Sequence, residues 1–167
     1  MVANTGTYLD SPFHRYADGK DLSELPLKRL ADLEAVAVRW DLRQGRAISS
    51  GVFKGHDLRG RAVLVHTGWS AHWKTDRYFE GHPFLTGDAA EYLRAARAAL
   101  VGIDSYNIDD TEDMTRPVHS TLLRHEIPIV EHLTGLDLLP DGGSRFFAVP
   151  VKVKGMGTFP VRAFVIA

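Results

Sequence analysis

The stretch TGDAAEYLRAARAALVGID, residues 86–104, places a helix pattern directly before a strand pattern. Ala, Leu, Glu and Arg are strong helix formers and predict a helix over residues 86–99, with Thr86 positioned to cap its start. The apolar run LVGI then predicts a strand over residues 100–104 that delivers Asp104 at its carboxyl end. Such strand ends are common ligand sites in α/β sheets.

The same alternation of short apolar runs and helical stretches continues on both sides of this unit. LEAVAVRW and RAVLVHT are rich in branched residues and predict strands buried on one or both faces. RPVHSTLLRHE predicts a short helix, and IPIVEHL, RFFAVPVKV and FPVRAFVIA predict further strands. Pro150 and Pro160 place the last two at edges, ends or bulges. The pattern indicates an α/β fold.

Composition limits the classes of function. The chain has 167 residues, enough for one domain, and 44% of them are hydrophobic. A net charge of −1 gives no basic excess for nucleic acid or an anionic membrane. The sequence has no cysteine, so a metal site must use His, Asp, Glu and water. No apolar run reaches the ~18–20 residues that span a bilayer, and no signal peptide is evident, so we expect a cytoplasmic protein.

Two pairs of side chains are candidates for chemistry. In NTGTYLDSPFHRY, Pro12 stiffens a loop that presents Asp10 and His14. His119 falls early on a predicted helix and Glu131 ends the following strand, so the two can meet at one point and bind a metal. The alternative interpretation is structural: a turn-capping aspartate, solvated histidines and a strand-end glutamate.

The segment HTGWSAHWKTDRYF, residues 66–79, is rich in large rings, among them Trp69 and Trp73. A ring-rich loop after a buried strand favours an apolar wall for a flat substrate or a contact between subunits. It is equally consistent with rings that only cover the sheet.

Taken together, these segments resemble the cyclase superfamily of metal-dependent hydrolases. The signature of that family is H-x-G-T-H-x-D-x-P-x-H, and residues 4–14 match it at Gly6, Thr7, Asp10, Pro12 and His14. Later segments are similar to family blocks in the same order: LVHTGWSAHW, HPFLTGDAAEYL, LVGIDS, RPVHSTLL, IPIVEHLTGLDLLP and PVRAFVIA. The resemblance covers nearly the whole chain and implies a swivelling β/β/α-type domain with a mixed, barrel-like sheet and a few short helices.

The resemblance also implies roles for individual residues. Asp10, His119 and Glu131 correspond to metal ligands, and His14 corresponds to the catalytic histidine. The two signature histidines fall on Asn4 and Tyr8, which are not normal zinc ligands. We therefore expect one divalent ion, zinc or manganese or else magnesium, or none if the site is degenerate. Phe13, Trp69 and Trp73 are the expected contacts for the substrate.

The implied activity is hydrolysis of the C–N bond of an aryl formamide or cyclic amide, as in kynurenine formamidase, through metal-activated water. Two alternatives stay open: a polyketide-type cyclase or dehydratase, and a non-catalytic binding protein that kept the fold. We expect residues 1–167 to form one domain and to assemble as a homodimer or homotetramer. The family places several dozen residues before its signature, so the resemblance leaves open that this domain lacks the N-terminal segment of the family.

Overall fold

The computed structural model describes residues 2–140 and 142–167. Its two α-helices are α1 (Gly87–Ala95) and α2 (Pro117–Arg124). Its strands are β1 (Tyr8–Asp10), β2 (Leu33–Arg39), β3 (Ala47–Ile48), β4 (Ala62–His66), β5 (Phe84–Leu85), β6 (Leu100–Ile103), β7 (Ile129–Glu131), β8 (Arg145–Phe147), β9 (Thr158–Pro160) and β10 (Phe164–Ile166). Short 3-10 turns join several of them.

Eight of the strands form one curled, half-barrel sheet in the order β10-β8-β2-β4-β6-β7-β1-β9. Neighbours among β2, β4, β6 and β7 are parallel, whereas β1, β8, β9 and β10 pair with their neighbours antiparallel. Strands β3 and β5 form a separate parallel pair. The expected α/β fold with a mixed, barrel-like sheet and few helices is confirmed.

The sheet separates two hydrophobic cores, and alternation along β4 shows how. Val63 and Val65 pack into the core that contains α1 and α2, whereas Ala62 and Leu64 pack into the core on the other face. All four are fully buried, as expected for a strand covered on both faces. Each buried Val or Leu contributes about 1.5–3 kcal/mol, so the parallel strands form a rigid base for the residues at their ends.

Helix α1 is shorter than predicted. Thr86 is the N-cap residue before α1, but its hydroxyl does not cap the helix: it lies 2.5 Å from Asp88 Oδ1 and 3.1 Å from the Ile48 carbonyl oxygen, and its one hydrogen can go to either. The helix ends at Ala95, and Arg97 has a φ of 60°, in the left-handed region that stops a helix. The last residues of the predicted helix therefore form the turn into β6.

The N-terminal segment is a strand where the sequence predicts a loop. Strand β1 lies between β7 and β9, with Tyr8 opposite Glu131 and Asp10 opposite Thr158. Three residues are too few to show an alternating pattern, which is why the sequence did not reveal the strand. The prediction is right about Ser11, which is extended before Pro12. Asp10 is consequently fixed by the sheet.

The C-terminal segments are also divided differently from the prediction. Residues 159–167, predicted as one strand, contribute to β9 and β10, which lie at opposite edges of the large sheet. Pro160 ends β9 at such an edge, as predicted. Of residues 145–153 only Arg145–Phe147 forms a strand, and Pro150 lies beyond it. Within residues 2–140 and 142–167, neither helix has the length and apolar character to cross a bilayer.

Candidate active site

Asp10, His119 and Glu131 meet in the interior. His119 Nε2 lies 3.5 Å from Asp10 Oδ2 and 4.0 Å from Glu131 Oε1. All three side chains are almost completely buried. The structure thus brings together the acid of the opening segment and the later histidine and glutamate, as the sequence leads us to expect.

Strand pairing explains this convergence. Tyr8 and Asp10 are two residues apart on β1, so their side chains point to the same face of the sheet. Glu131 is the direct partner of Tyr8 on β7 and therefore shares that face. Helix α2 packs against the sheet there and supplies His119 from its first turn.

Asp109, which the sequence analysis did not single out, positions His119. Its Oδ2 lies 2.6 Å from His119 Nδ1 and accepts from the His119 backbone N–H, while its Oδ1 accepts from the backbone N–H of Val118. Asp109 therefore caps the N-terminus of α2 and also contacts the ring nitrogen Nδ1 of His119. The other nitrogen, Nε2, faces Asp10 Oδ2 at 3.5 Å and Arg116 Nη2 at 3.3 Å. A histidine held at one ring nitrogen by a carboxylate is typical of metal sites.

Thr158 on β9 is a second residue that the sequence analysis missed. Its hydroxyl donates to Asp10 Oδ1 and lies 2.6 Å from Nδ1 of His14. Because the hydroxyl has only one hydrogen, it must accept from His14 Nδ1–H when it donates to Asp10. Neutral His14 is thereby held with its proton on Nδ1 and a free lone pair on Nε2.

Glu131 has a different set of partners. The Tyr8 hydroxyl donates to Oε2, and the backbone N–H of Ile108 donates to Oε1. Burial and the charge of Glu131 raise the pKa of Tyr8 far above its usual value, so the phenol keeps its proton. Burial also raises the pKa of Glu131.

The electrostatics of this cluster favour a cation. Burial lowers the pKa of His119, but the carboxylates of Asp10, Asp109 and Glu131 raise it more, to about 9. Asp10 Oδ2 is buried and makes no hydrogen bond, and His119 Nε2 lies 3.5 Å from it. A buried carboxylate oxygen without a partner is costly unless a proton or a metal ion satisfies it.

The donor set fits one divalent ion. Donor atoms of Asp10, His14 and His119 lie within 4.8 Å of one another. Glu131 is outside this group: its Oε1 lies 4.0 Å from His119 Nε2, and both of its oxygens accept hydrogen bonds from Tyr8 and Ile108. Ligand atoms about 3.4 Å apart are expected around a tetrahedral ion with bonds of about 2.1 Å, close to the spacing of Asp10 Oδ2 and His119 Nε2. Imidazole and carboxylate ligands suit zinc and manganese alike.

A cavity of about 310 Å³ adjoins this cluster through Tyr8, whose ring lines the cavity while its hydroxyl contacts Glu131. Asn4 lies at the same cavity, so the two residues at the signature histidine positions share it. The lining residues are Val2, Asn4, Gly6, Tyr8, Trp73, Phe79, Tyr106, Asn107 and His132. Aromatic rings thus form much of its wall, and the volume is at the lower end of the range for small-molecule sites.

His132 organises these rings. Its ring centroid lies 5.2 Å from that of Tyr8, 5.6 Å from that of Trp73 and 5.8 Å from that of Tyr106. Burial lowers the pKa of His132 to about 4, so the imidazole is neutral at neutral pH. Its φ of 58° is unusual for a residue other than glycine, a type of strain that is concentrated at functional sites.

The other residues predicted to contact substrate or ligand lie elsewhere. Trp69 is buried and donates its indole N–H to the Tyr78 carbonyl, so it does not line the cavity. Phe13 is half-buried and is likewise not among the lining residues. Asp104 accepts from Thr67 and from the Gly68 backbone N–H, a structural role that ties β6 to the end of β4.

The fold is a half-barrel sheet with histidine and carboxylate side chains buried together at the ends of its strands. These features define the class of the protein: an α/β protein with a candidate metal-binding site. A family model named Cyclase and described as "Putative cyclase" matches residues 1–110. The chain therefore belongs to this cyclase family.

Three relatives illustrate the similarity. Kynurenine formamidase of Bacillus cereus is 29% identical over 166 residues, which span 99% of this chain and 77% of the relative. A solved structure titled as a potential metal-dependent hydrolase with cyclase activity is 28% identical, with a TM-score of 0.78 over 99% of this chain and 79% of the other. An isatin hydrolase bound to thioisatinate is similar in fold, with a TM-score of 0.83, 24% identity and coverage of 96% and 70%. The family to which this chain belongs therefore includes hydrolases.

Proposed function

We propose that this protein hydrolyses the C–N bond of an aryl formamide or a cyclic amide, with kynurenine formamidase as the nearest named activity. The observation that carries the proposal is the meeting of Asp10, His119 and Glu131 beside an aromatic cavity. The similarity to kynurenine formamidase of Bacillus cereus supports an aryl formamide as the class of substrate.

Asp10, His119 and Glu131 are the proposed ligands of one divalent ion. Asp10 offers Oδ2, which makes no hydrogen bond, and His119 offers Nε2, which Asp109 does not contact. When bound, such an ion polarises an amide carbonyl and lowers the pKa of water toward neutrality.

His14 is the proposed general base and acid. Burial lowers its pKa, which keeps the ring neutral and able to accept a proton at neutral pH. Nε2 takes a proton from the attacking water as the new O–C bond forms. It returns that proton to the amide nitrogen as the C–N bond breaks, which gives the free amine and a carboxylic acid. The acid then loses its remaining proton to solvent and leaves as the carboxylate.

The aromatic cavity is the proposed site for the aryl ring. Trp73, Phe79 and Tyr106 offer faces and edges to a flat group, as aromatic pairs require. Asn4 and Asn107 add amide groups that can donate to or accept from polar atoms of the substrate.

The test is turnover of two amides by protein loaded separately with manganese, zinc or magnesium. We expect formate release from N-formylkynurenine, or ring opening of isatin, and a loss of at least about 10²-fold in kcat for His14→Ala. His56→Ala is the matched control, because His56 is exposed and outside the site. Failure of every metal to support turnover of either amide, or equal activity of His14→Ala and wild type, would overturn the proposal.

The same assay separates the alternatives. A cyclase or dehydratase would release no formate, and a non-catalytic binding protein would hold a ligand equally well after Asp10→Ala. A homodimer or homotetramer and a cytoplasmic location are part of the proposal, and they are tested by light scattering of the purified chain and by cell fractionation.

A further inference from the structure

A second concave site shares no lining residue with the aromatic cavity. It is a cleft of about 510 Å³ whose floor includes Ala98, Ala99 and Ile127. Among the residues that the structure describes, no Asp or Glu lines it. Its walls carry six basic side chains: Lys28, Arg29, Arg59, Arg94, Arg97 and His125.

The topology separates this cleft from the candidate active site. Arg29, Gly60, Ala99 and Ile127 lie in the segments that enter the four parallel strands β2, β4, β6 and β7. The cleft is therefore at the amino ends of these strands, whereas Glu131 is the last residue of β7. A ligand in the cleft does not block the aromatic cavity.

Four of the basic residues have no counter-ion in the part of the chain that the structure describes. Within residues 2–140 and 142–167, Lys28, Arg29, Arg59 and Arg97 form no ion pair with a carboxylate. Arg94 is paired, with its Nε 2.7 Å from Glu91. Unpaired cations around one concavity repel one another, so an anion bound among them is stabilised by every one of them.

The cleft is built from fixed backbone. The Gly60 N–H donates to the Arg97 carbonyl and the Ala99 N–H donates to the Arg61 carbonyl, both at 2.9 Å. These bonds tie the chain before β4 to the chain before β6 and set Arg59 opposite the turn that carries Arg97. Arg97 has a φ of 60°, a conformation that glycine adopts more easily, yet an arginine occupies it.

Acidic side chains beside the cleft limit the size of its ligand. Arg61, next to Gly60, pairs with Glu34 and Asp57, and Glu126, next to His125, pairs with Lys20. A long polyanion that crossed the cleft would meet these carboxylates, and the net charge of −1 gives no wider basic surface. The arrangement favours a small ligand over nucleic acid.

We infer that this cleft binds a small oxyanion with two or more negative charges, such as an organic phosphate or a polycarboxylate. Guanidinium groups bind both through paired N–H donors, and the volume suits a ligand of metabolite size. This site is independent of the proposed hydrolase activity.

Isothermal titration of the intact protein with pyrophosphate and with citrate, each in about 0.15 M salt, tests the inference. We expect saturable binding of one anion per chain. The anion that binds more tightly, pyrophosphate or citrate, identifies phosphate or carboxylate as the preferred group. Arg59→Gln should weaken binding about tenfold, since a hydrogen bond between charged groups is lost. Binding should also weaken as the salt concentration rises.

Two further variants keep the result interpretable. Arg97→Gly should weaken binding while the thermal midpoint stays the same or rises, because glycine suits the left-handed backbone. Arg162→Gln removes the same charge from an exposed residue outside the cleft and should leave binding unchanged. The absence of saturable binding for both anions, an equal loss in Arg162→Gln, or tighter binding of a DNA duplex at the same residues would each overturn the inference.

Discussion

The hydroxyl of Tyr8 donates a hydrogen bond to Glu131 across the β1–β7 pair. Tyr8 occupies a position at which the signature of the resembled family has a histidine. The buried phenol keeps its proton because burial and Glu131 raise its pKa. A neutral donor thus contacts Glu131 where that signature would supply an imidazole.

The first prediction concerns the number of metal ions. Replacing both signature positions with histidine, Asn4→His with Tyr8→His, should raise the bound divalent metal from one ion per chain to two, because two imidazoles return to the site beside Asp10. Elemental analysis after desalting measures this. Tyr8→Phe is the control and should keep one ion. If the double variant is folded by circular dichroism and still binds one ion, the assignment of these positions is wrong.

Thr158 should matter for turnover through His14. Thr158→Val removes the hydroxyl that joins Asp10 to His14 Nδ1, so the ring loses its fixed tautomer and kcat should fall about 10–100-fold. Thr158→Ser restores the hydroxyl and should recover most of the activity. Equal losses in the Val and Ser variants would indicate that packing of the threonine methyl group is what matters.

Gly157 should tolerate no side chain. A Cβ there would overlap the backbone nitrogen and Cα of His14, so Gly157→Ala must push the His14 segment away. We expect a loss of about 1–3 kcal/mol in the free energy of unfolding, together with reduced turnover. Chemical denaturation measures the first effect. Gly51→Ala is the matched control, because its Cβ would meet only Ser49 Oγ at 3.8 Å, and it should change stability by less than about 0.5 kcal/mol.

His82 should make stability depend on pH. Burial lowers its pKa below the ordinary value of 6.5, and its Nε2 lies 3.1 Å from the Asp109 carbonyl oxygen, to which it can donate. Above pH 6.5 neither state is protonated, so the full stability is present. As the pH falls below 6.5 the unfolded state takes up the proton first, and stability is lost toward the folded pKa.

His82→Gln keeps an N–H donor for the Asp109 carbonyl but does not titrate. The loss of unfolding free energy between about pH 7.5 and about pH 5 should therefore be smaller in this variant than in the wild type. Urea denaturation at the two pH values measures the difference. Identical losses in both proteins would contradict the assignment.

Much of the fold follows from the sequence, because long or strongly patterned segments carry their own signal. The alternating run of β4 and the helix formers of α1 are examples. Strand β1 could not be predicted, since Tyr8–Asp10 has only three residues and is held by pairing with two distant strands. Residues 159–167 likewise contribute to two strands, β9 and β10, at opposite edges of the large sheet. That division depends on which edges of the sheet are free to pair.

The candidate site was predictable where one residue type carries a definite chemistry. Asp10, His119 and Glu131 could be named from sequence because the resemblance fixes their order along the chain. Thr158 could not, because it is 144 residues from His14 and its hydroxyl gives no signal. Asp109 lies in the acidic segment IDDTED, where nothing in the sequence distinguishes the carboxylate that caps α2 from its neighbours.

Metal content tests the central claim most directly, namely that Asp10, His119 and Glu131 together hold one divalent ion. Protein reconstituted with manganese or zinc, desalted and analysed for the element should contain one ion per chain in the wild type and in the His56→Ala control. Asp10→Asn, His119→Ala and Glu131→Gln should each bind markedly less, whereas His14→Ala should keep the ion. Two ions per wild-type chain, or full occupancy after Asp10→Asn and His119→Ala, would contradict the account.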